Sequence, residues 1–329
     1  MNSKEIASKI FNINSEEEFN LVCLEIFKYQ SANNKPFQEY IKHLNIKTEN
    51  IDHFSKIPFL PIDFFKTQRV SCKSTDEIVF SSSGTTSDIT SKHYVFDSNL
   101  YKQSIVAGFK QFYGNPSEFS FLALLPSYLE KNDSSLVFMI NYLMSLSKNN
   151  HGFFIHNFKD LYKLLSKNEL EKKKTILIGV SYALIDFSEK FDFSLQNTHI
   201  IETGGMKGKR QEMTKTELHN LLSKKFNTKY IHSEYGMTEL LSQSYSAESG
   251  LFRSLSWKKI LIRDINDPFS YLKNEITGGI NVIDLANLYS CSFIETKDLG
   301  KTHSDGTFEV LGRFDNSDIR GCNLLYQNQ

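Results

Sequence analysis

Hydrophobic positions near the start of the chain recur at helical spacing. Phe19, Val22, Ile26 and Tyr29 follow acidic Glu16, Glu17 and Glu18, which suit the positive end of a helix dipole, so the first seventy-odd residues are predicted to be helix-rich. The pattern changes at KIPFLPIDFF, where Phe59, Leu60, Ile62, Phe64 and Phe65 crowd around Pro58 and Pro61. That density is too high for a surface loop and predicts a packed extended segment covering the core. From Ile78 onward, short apolar runs alternate with amphipathic stretches of helix length. The runs predict strands at 78–80, 121–125, 152–155, 175–180, 199–202 and 229–232, and the stretches between predict helices near 100–113, 134–147, 159–170 and 212–226. Alternation of this kind specifies an α/β fold, a mainly parallel sheet with helices on both faces. After about Ser254 the period becomes two, in KKILIRDI, GGINVIDL, CSFIETKD and GTFEVLGR, which predicts a smaller, more antiparallel β subdomain. The chain is thus read as a helical N-terminal region (1–75) packed on the core, an α/β core (76–253), and a β-rich subdomain with the C-terminal tail (254–329).

Composition narrows the function classes. The 329 residues carry 38 Lys+Arg against 38 Asp+Glu, a net charge of zero, which excludes a basic nucleic-acid binder. With 40% hydrophobic and 23% charged residues, the chain is neither disordered nor low in complexity. A chain this long buries roughly 75% of its unfolded surface, so its core needs no disulfide or metal staple. No apolar run approaches the ~18 residues of a membrane span, and the first residues lack a signal-peptide layout; a cytoplasmic location is expected. Cys23, Cys72, Cys291 and Cys322 are widely spaced and read as independent reduced thiols. The longest charge block, Glu171-Lys172-Lys173-Lys174, reads as a solvated helix end.

Four segments have residues suited to chemistry. Ser81-Ser82-Ser83-Gly84-Thr85-Thr86-Ser87 follows an apolar strand, and its hydroxyl and backbone N–H donors suit phosphate; a polar surface turn is the alternative. It is neither a Walker A loop nor a dinucleotide-binding G-x-G-x-x-G. In His232-Ser233-Glu234-Tyr235-Gly236-Met237-Thr238-Glu239, a hydroxyl and a carboxylate follow a turn, suited to a phosphate and to Mg²⁺ held against it; they equally suit a capped helix start. In Thr296-Lys297-Asp298-Leu299-Gly300, Asp298 suits ribose hydroxyls, or an ordinary turn. In Gly312-Arg313-Phe314-Asp315, Arg313 suits ribose or phosphate, or a hairpin salt bridge.

Taken in this order, S-S-G-T-T, Y-G-M-T-E, T-x-D-L-G and G-R-x-D, the segments resemble the core motifs of the adenylate-forming enzymes. That superfamily comprises acyl-CoA synthetases, peptide-synthetase adenylation domains and luciferase-type enzymes, and the resemblance spans about residues 78–322. Within it, KIPFLPIDFFKT, Ser91-Lys92-His93-Tyr94 and Glu202-Thr203-Gly204-Gly205-Met206-Lys207 are most similar to the acyl-protein synthetase branch, the LuxE type related to phenylacetate-CoA ligases. The resemblance implies the large N-terminal domain of an adenylate-forming enzyme. Relatives continue past G-R-x-D for roughly a hundred residues, a usual domain size, whereas 16 residues follow Arg313, so the mobile C-terminal domain is expected to be lacking.

It also implies the activity: ATP, with Mg²⁺, activates a carboxylic acid, expected to be fatty, as an acyl-adenylate, and the acyl group passes to a protein thiol. Ser82, Ser83, Gly84, Thr85 and Thr86 would hold the phosphates, Thr238 the α-phosphate and Glu239 the Mg²⁺. Gly204, Gly205, His232, Tyr235, Gly236 and Met237 would shape the nucleotide pocket, and Asp298 and Arg313 would fix the ribose. His93 would assist proton transfer, although core or surface roles fit both histidines as well. Departures from the common loop motif are Ser87 in place of a glycine and Asp88-Ile89-Thr90 in place of Pro-Lys, so either Lys92 would stand in for the missing lysine or the phosphate grip would rest on hydroxyls and backbone alone. Cys322 matches the acylated cysteine of the branch, with Arg320 placed to favour its thiolate; Cys72 is the second candidate, and Cys23 and Cys291 read as core residues. An acyl-CoA reductase-like or acyltransferase protein is the implied partner. Two alternatives remain: hand-over to CoA or an acyl-carrier protein, and a non-catalytic descendant that binds nucleotide or a partner. The whole reading requires Thr238, Glu239, Asp298 and Arg313 to meet in one cleft beside the 81–87 loop.

Overall fold

The computed structural model describes residues 2–82, 89–126, 133–155, 157–206, 209–211, 213–248 and 250–313. Three helices open the chain: α1 (Ser3–Ile10), α2 (Glu16–Asn33) and α3 (Lys35–His43). Helix α2 starts where its sequence dictates, because Ser15 accepts a hydrogen bond from the Glu18 N–H and the Glu18 carboxylate accepts one from the Asn14 N–H. The proline-rich segment then gives β1 (Leu60–Pro61) and the short α4 (Phe64–Thr67). Phe59, Leu60 and Phe65 are buried, as the density of apolar residues predicts.

A hairpin of β2 (Ile78–Ser81) and β3 (Lys92–Val95) flanks the hydroxyl-rich loop. The α/β part follows with α5 (Ser98–Tyr113), β4 (Ser120–Leu124), α6 (Ser135–Leu146), β5 (Gly152–Phe153), α7 (Phe158–Leu170) and β6 (Thr175–Val180). It continues through α8 (Ser181–Ser188), β7 (Thr198–Thr203), α9 (Lys215–Phe226), β8 (His232–Tyr235) and β9 (Ser244–Ser246). These strands form a six-stranded sheet in the order β5-β4-β6-β7-β8-β9, parallel except for the last pair. Every residue of β6, TILIGV, is buried, so both faces of the sheet are covered; the continuous apolar run follows from that double burial.

The second sheet contains β10 (Lys258–Arg263), β11 (Gly278–Asp284), β12 (Phe293–Thr302) and β13 (Phe308–Arg313). Its order is β1-β12-β11-β10, with β13 also on β12. One edge of β12 is divided: β1 pairs in parallel with Ile294 and Glu295, and β13 pairs antiparallel with 298–302. The N-terminal segment therefore supplies a strand to the C-terminal sheet. Side chains reinforce that link, since Gln30 Nε2 donates to the carbonyls of Asn287 and Leu288 at 2.9 and 3.0 Å, and Asn34 Nδ2 to that of Ser290 at 2.9 Å.

Two local expectations need correction. The strand expected at 229–232 lies at His232–Tyr235, displaced into the motif, because its polar side chains find buried partners that an apolarity count does not see. Helix α8 was not expected. Seven of its eight residues are buried, so it has no polar face to mark its period. Among the described residues, no helix is long and apolar enough to cross a membrane.

Candidate active site

A cleft of about 790 Å³ opens where the carboxyl ends of β7 and β8 meet β12 and β13. Open α/β sheets bind ligands at such strand ends. Ser81 and Ser82 line it from the β2 end, Gly204 and Gly205 from the turn after β7, and 234–239 from the end of β8. Thr296, Asp298 and Arg313 close it from the second sheet.

Each wall has a local cause. Asp298 and Arg313 are cross-strand partners in the β12–β13 register, so their side chains are brought to one place by strand pairing. Tyr235 at the end of β8 donates its hydroxyl to Asp298 Oδ2 at 2.8 Å, which ties the two sheets together across the cleft. Burial pushes the Asp298 carboxyl above its ordinary range, opposed by the Tyr235 hydroxyl and the Arg313 charge. Glu239 behaves alike: burial raises it, against a Ser91 hydrogen bond and the Arg313 charge.

The backbone that carries Thr238 and Glu239 is held from behind. His93 bonds the Thr238 carbonyl through Nδ1 at 2.8 Å, and Asn287 Nδ2 donates to the Glu239 carbonyl at 2.7 Å. A carbonyl only accepts, so Nδ1 of His93 carries the proton. Buried Asp284 then accepts from the N–H groups of Leu241 and Ser242 at 2.8 and 2.9 Å, fixing the turn's exit.

Glycines shape the opposite wall. Gly204 has φ +69°, the left-handed region that favours glycine, while a Cβ on Gly205 would meet no atom within 4 Å and would project into open space. Behind them a second cavity of about 380 Å³ shares Gly204, Gly205 and Lys215 with the first. Glu202 lies fully buried beneath it, accepting from Lys215 and Ser233 at 2.5 Å each and from Ser181 at 3.1 Å. Burial pushes this carboxyl up, but Lys215, His219 and Ser233 outweigh it and hold it at about 2.

Of the residues singled out from sequence, Ser82, Gly204, Gly205, Tyr235, Gly236, Met237, Thr238, Glu239, Asp298 and Arg313 line the one cleft. Three do not. Lys92 is exposed on β3 and stands outside the cleft lining. His93 is wholly buried behind Thr238, its imidazole pushed down to about 4 by burial, so it is neutral and screened from the cleft. His232 is the first residue of β8, at the strand end away from the cleft, where it packs between Tyr113 and His199. Burial there also lowers it to about 4. Ser83, Gly84, Thr85, Thr86 and Cys322 lie outside the described residues.

Cys23 and Cys291 are buried, and Cys72 is partly buried with its thiol pushed well up by burial, against nucleophilic use. The sequence reading did not single out Lys215, Ser134, Ser135, Gln243 or a role for Glu234 among the cleft residues. No motif marks Lys215, Ser134, Ser135 or Gln243, because only packing brings them there, and Glu234 lies within the 232–239 segment without a role in its motif.

Two sheets sharing such a cleft make the α/β fold with mixed sheets of the N-terminal part of adenylate-forming enzymes. Solved structures similar to this chain include a CoA ligase and a coenzyme A synthetase. ATP-bound MatB from Rhodopseudomonas palustris superposes with TM-score 0.56 at 16% identity, over 73% of this chain and 49% of that one. A 2-hydroxyisobutyryl-CoA ligase in an open conformation, in complex with 2-HIB-AMP and CoA, gives 0.68 at 10%, over 92% and 72%. The O-succinylbenzoate coenzyme A synthetase MenE from Bacillus subtilis, in complex with AMP, gives 0.51 at 17%, over 73% and 49%. At these identities the likeness is one of fold, and the chain spans about half the length of the MatB and MenE structures. No protein-family model and no curated protein matches the sequence significantly.

Proposed function

We propose that this protein is an ATP-dependent ligase of the acyl-protein synthetase type, which activates a carboxylic acid as its adenylate and passes the acyl group to the thiol of Cys322. The observation that carries this reading is the meeting of Thr238, Glu239, Asp298 and Arg313, up to 75 positions apart in sequence, in one cleft with Ser82 and two glycines. Solved neighbours with ATP or AMP bound support the nucleotide.

A carboxylate is a poor acyl donor because its leaving group would be oxide. In the first step a carboxylate oxygen attacks the α-phosphorus of ATP, the new C–O–P anhydride forms, and the bond to the β-phosphate breaks to release pyrophosphate. In this reading Thr238 donates to the α-phosphate and Ser82 to the departing phosphates. Gly205 leaves its backbone open to a planar base, while Asp298, fixed by Tyr235, accepts from ribose hydroxyls beside Arg313. Holding both reactants in line supplies most of the rate. Glu239 fits Mg²⁺: its carboxyl lines the cleft, is buried and is raised in pKa by that burial, and one protein carboxylate plus phosphate oxygens is an ordinary magnesium donor set. Bound there, the ion would neutralise charge on the departing pyrophosphate. In the second step the Cys322 thiolate attacks the acyl carbon, the C–O bond to AMP breaks, and a thioester forms. Such a thioester suits collection by a reductase-like or acyltransferase partner.

Incubation with ATP, Mg²⁺ and a panel of acids, followed by intact-mass measurement, tests this. An acyl adduct that hydroxylamine cleaves and that Cys322→Ser abolishes is the expected result. Adenylate formation without an adduct would sink self-acylation and favour CoA or a carrier protein as acceptor, a reading supported by the CoA-bound fold neighbour.

A further inference from the structure

Glu234 is the acidic cleft residue for which the proposed chemistry has no use. It sits on β8 beside Tyr235 and lines the cleft, yet it is only 8% exposed. Among the described residues one hydrogen bond reaches its carboxyl group, from Thr203 Oγ1 to Oε2 at 2.6 Å. Its other oxygen, Oε1, occupies space that a Cβ on residue 236 would need, so the glycine of the motif makes room for this carboxyl.

Among the described residues, the two lysines whose charge reaches Glu234 are engaged elsewhere. Lys215 bonds Glu202 at 2.5 Å. Lys258 is buried, donates to the Ser242 carbonyl at 2.9 Å, and interacts more strongly with Asp284 than with Glu234. Among the described residues, Glu202 accepts from Lys215, Ser233 and Ser181, and Asp284 from Leu241, Ser242 and Ala286, so of these three buried carboxyl groups Glu234 is the one with a single donor. Burial raises its pKa, and the Thr203 bond and Lys258 charge do not reverse the shift. A buried carboxyl with spare acceptor capacity is costly until a donor meets it, and an alkyl chain brings none. Gln243, which lines the cleft and packs near Gly236, adds a second polar side chain on this wall.

We propose that the acid bound in this cleft carries a protonated amine, which donates to Glu234 Oε1 while Thr203 fixes Oε2. The inference rests on the acid-activating function above and replaces the fatty acid expected from the sequence with an amino acid.

ATP–pyrophosphate exchange tests it with α-amino acids, ω-amino acids such as 6-aminohexanoate, and matched unsubstituted acids from propionate to tetradecanoate. An amino acid should drive exchange at least tenfold faster than its unsubstituted analogue, with the responding set deciding between α- and ω-amines. Glu234→Gln keeps an oxygen for Thr203 and should raise the KM for that amino acid tenfold or more, with a smaller change in kcat. The comparison within the wild-type protein needs no variant. Exchange fastest with an unsubstituted fatty acid, at rates equal in wild type and Glu234→Gln, overturns the amine site and leaves acid activation standing. If no acid drives exchange but an amino acid raises the wild-type melting temperature and not that of Glu234→Gln, the amine site stands and acid activation fails. If neither exchange nor melting temperature responds to any amine, the amine site is refuted.

Discussion

His93 bonds the Thr238 carbonyl through Nδ1, its Nε2 meets no partner among the described residues, and the Phe65 ring packs edge-on against it. The side chain acts on the cleft by fixing the Thr238 backbone rather than by entering the site. Burial holds its pKa at about 4, below the ordinary 6.5, so the unfolded chain binds the proton more readily than the native one. The stabilisation is therefore present at neutral pH and lost as pH falls from about 6.5 towards 4, amounting to about 3 kcal/mol. His93→Gln keeps a donor and removes the titration. Urea unfolding of both proteins between pH 7 and 4 should show wild type losing about that much relative to the variant; parallel pH dependences would refute the assignment. Histidine was legible as a residue near the motifs, but its direction was not, because a strand sends successive side chains to opposite faces.

The turns after β7 and β8 are the elements that make the cleft, and their glycines differ in what they do. A Cβ at 236 would run into the Glu234 carboxyl, whereas a Cβ at 205 would stand in the open cleft. Gly236→Ala should lower the unfolding free energy by about 1–3 kcal/mol through overpacking, read from the melting temperature. Gly205→Ala should leave the melting temperature within a degree or so and raise the KM for ATP about tenfold; an unchanged KM would remove this wall from the nucleotide site. Elements with a one-sided pattern were readable in advance: α5, α7 and α9 fall within two or three residues of their expected limits, and the buried run of β6 matches its own. The polar strand β8 and the buried helix α8 were not, since Ser233 and Glu234 are tolerated inside only through Glu202, His219 and Thr203, each from another element.

At the scale of the whole molecule, the two sheets are joined by the chain's beginning as much as by its end. Gln30 donates to two carbonyls in the connection from β11 to β12 and accepts from the Ser292 N–H at 3.0 Å. Gln30→Ala would leave these buried groups unpaired, so a loss of about 1–3 kcal/mol is expected, measured by chemical denaturation. A change below a few tenths would show that the N-terminal helices are not tied to the second sheet in this way. Identities of 10–17% to ligases of the same fold fit this picture, since a fold is kept by the burial pattern and not by particular side chains. The sequence by itself determined the α/β alternation, the change to antiparallel strands after about Ser254, and the identity of most of the cleft's motif residues. These are local properties, written in the period of apolar residues and in short runs of Gly, Ser, Thr and acidic side chains. Tertiary structure alone decided that Asp298 answers Tyr235 across two sheets, that His232 faces away, and that Glu234 is a buried carboxyl with one donor among the described residues. Each of those depends on which distant strand lies opposite and how much water remains there, and neither is encoded by neighbours in the chain.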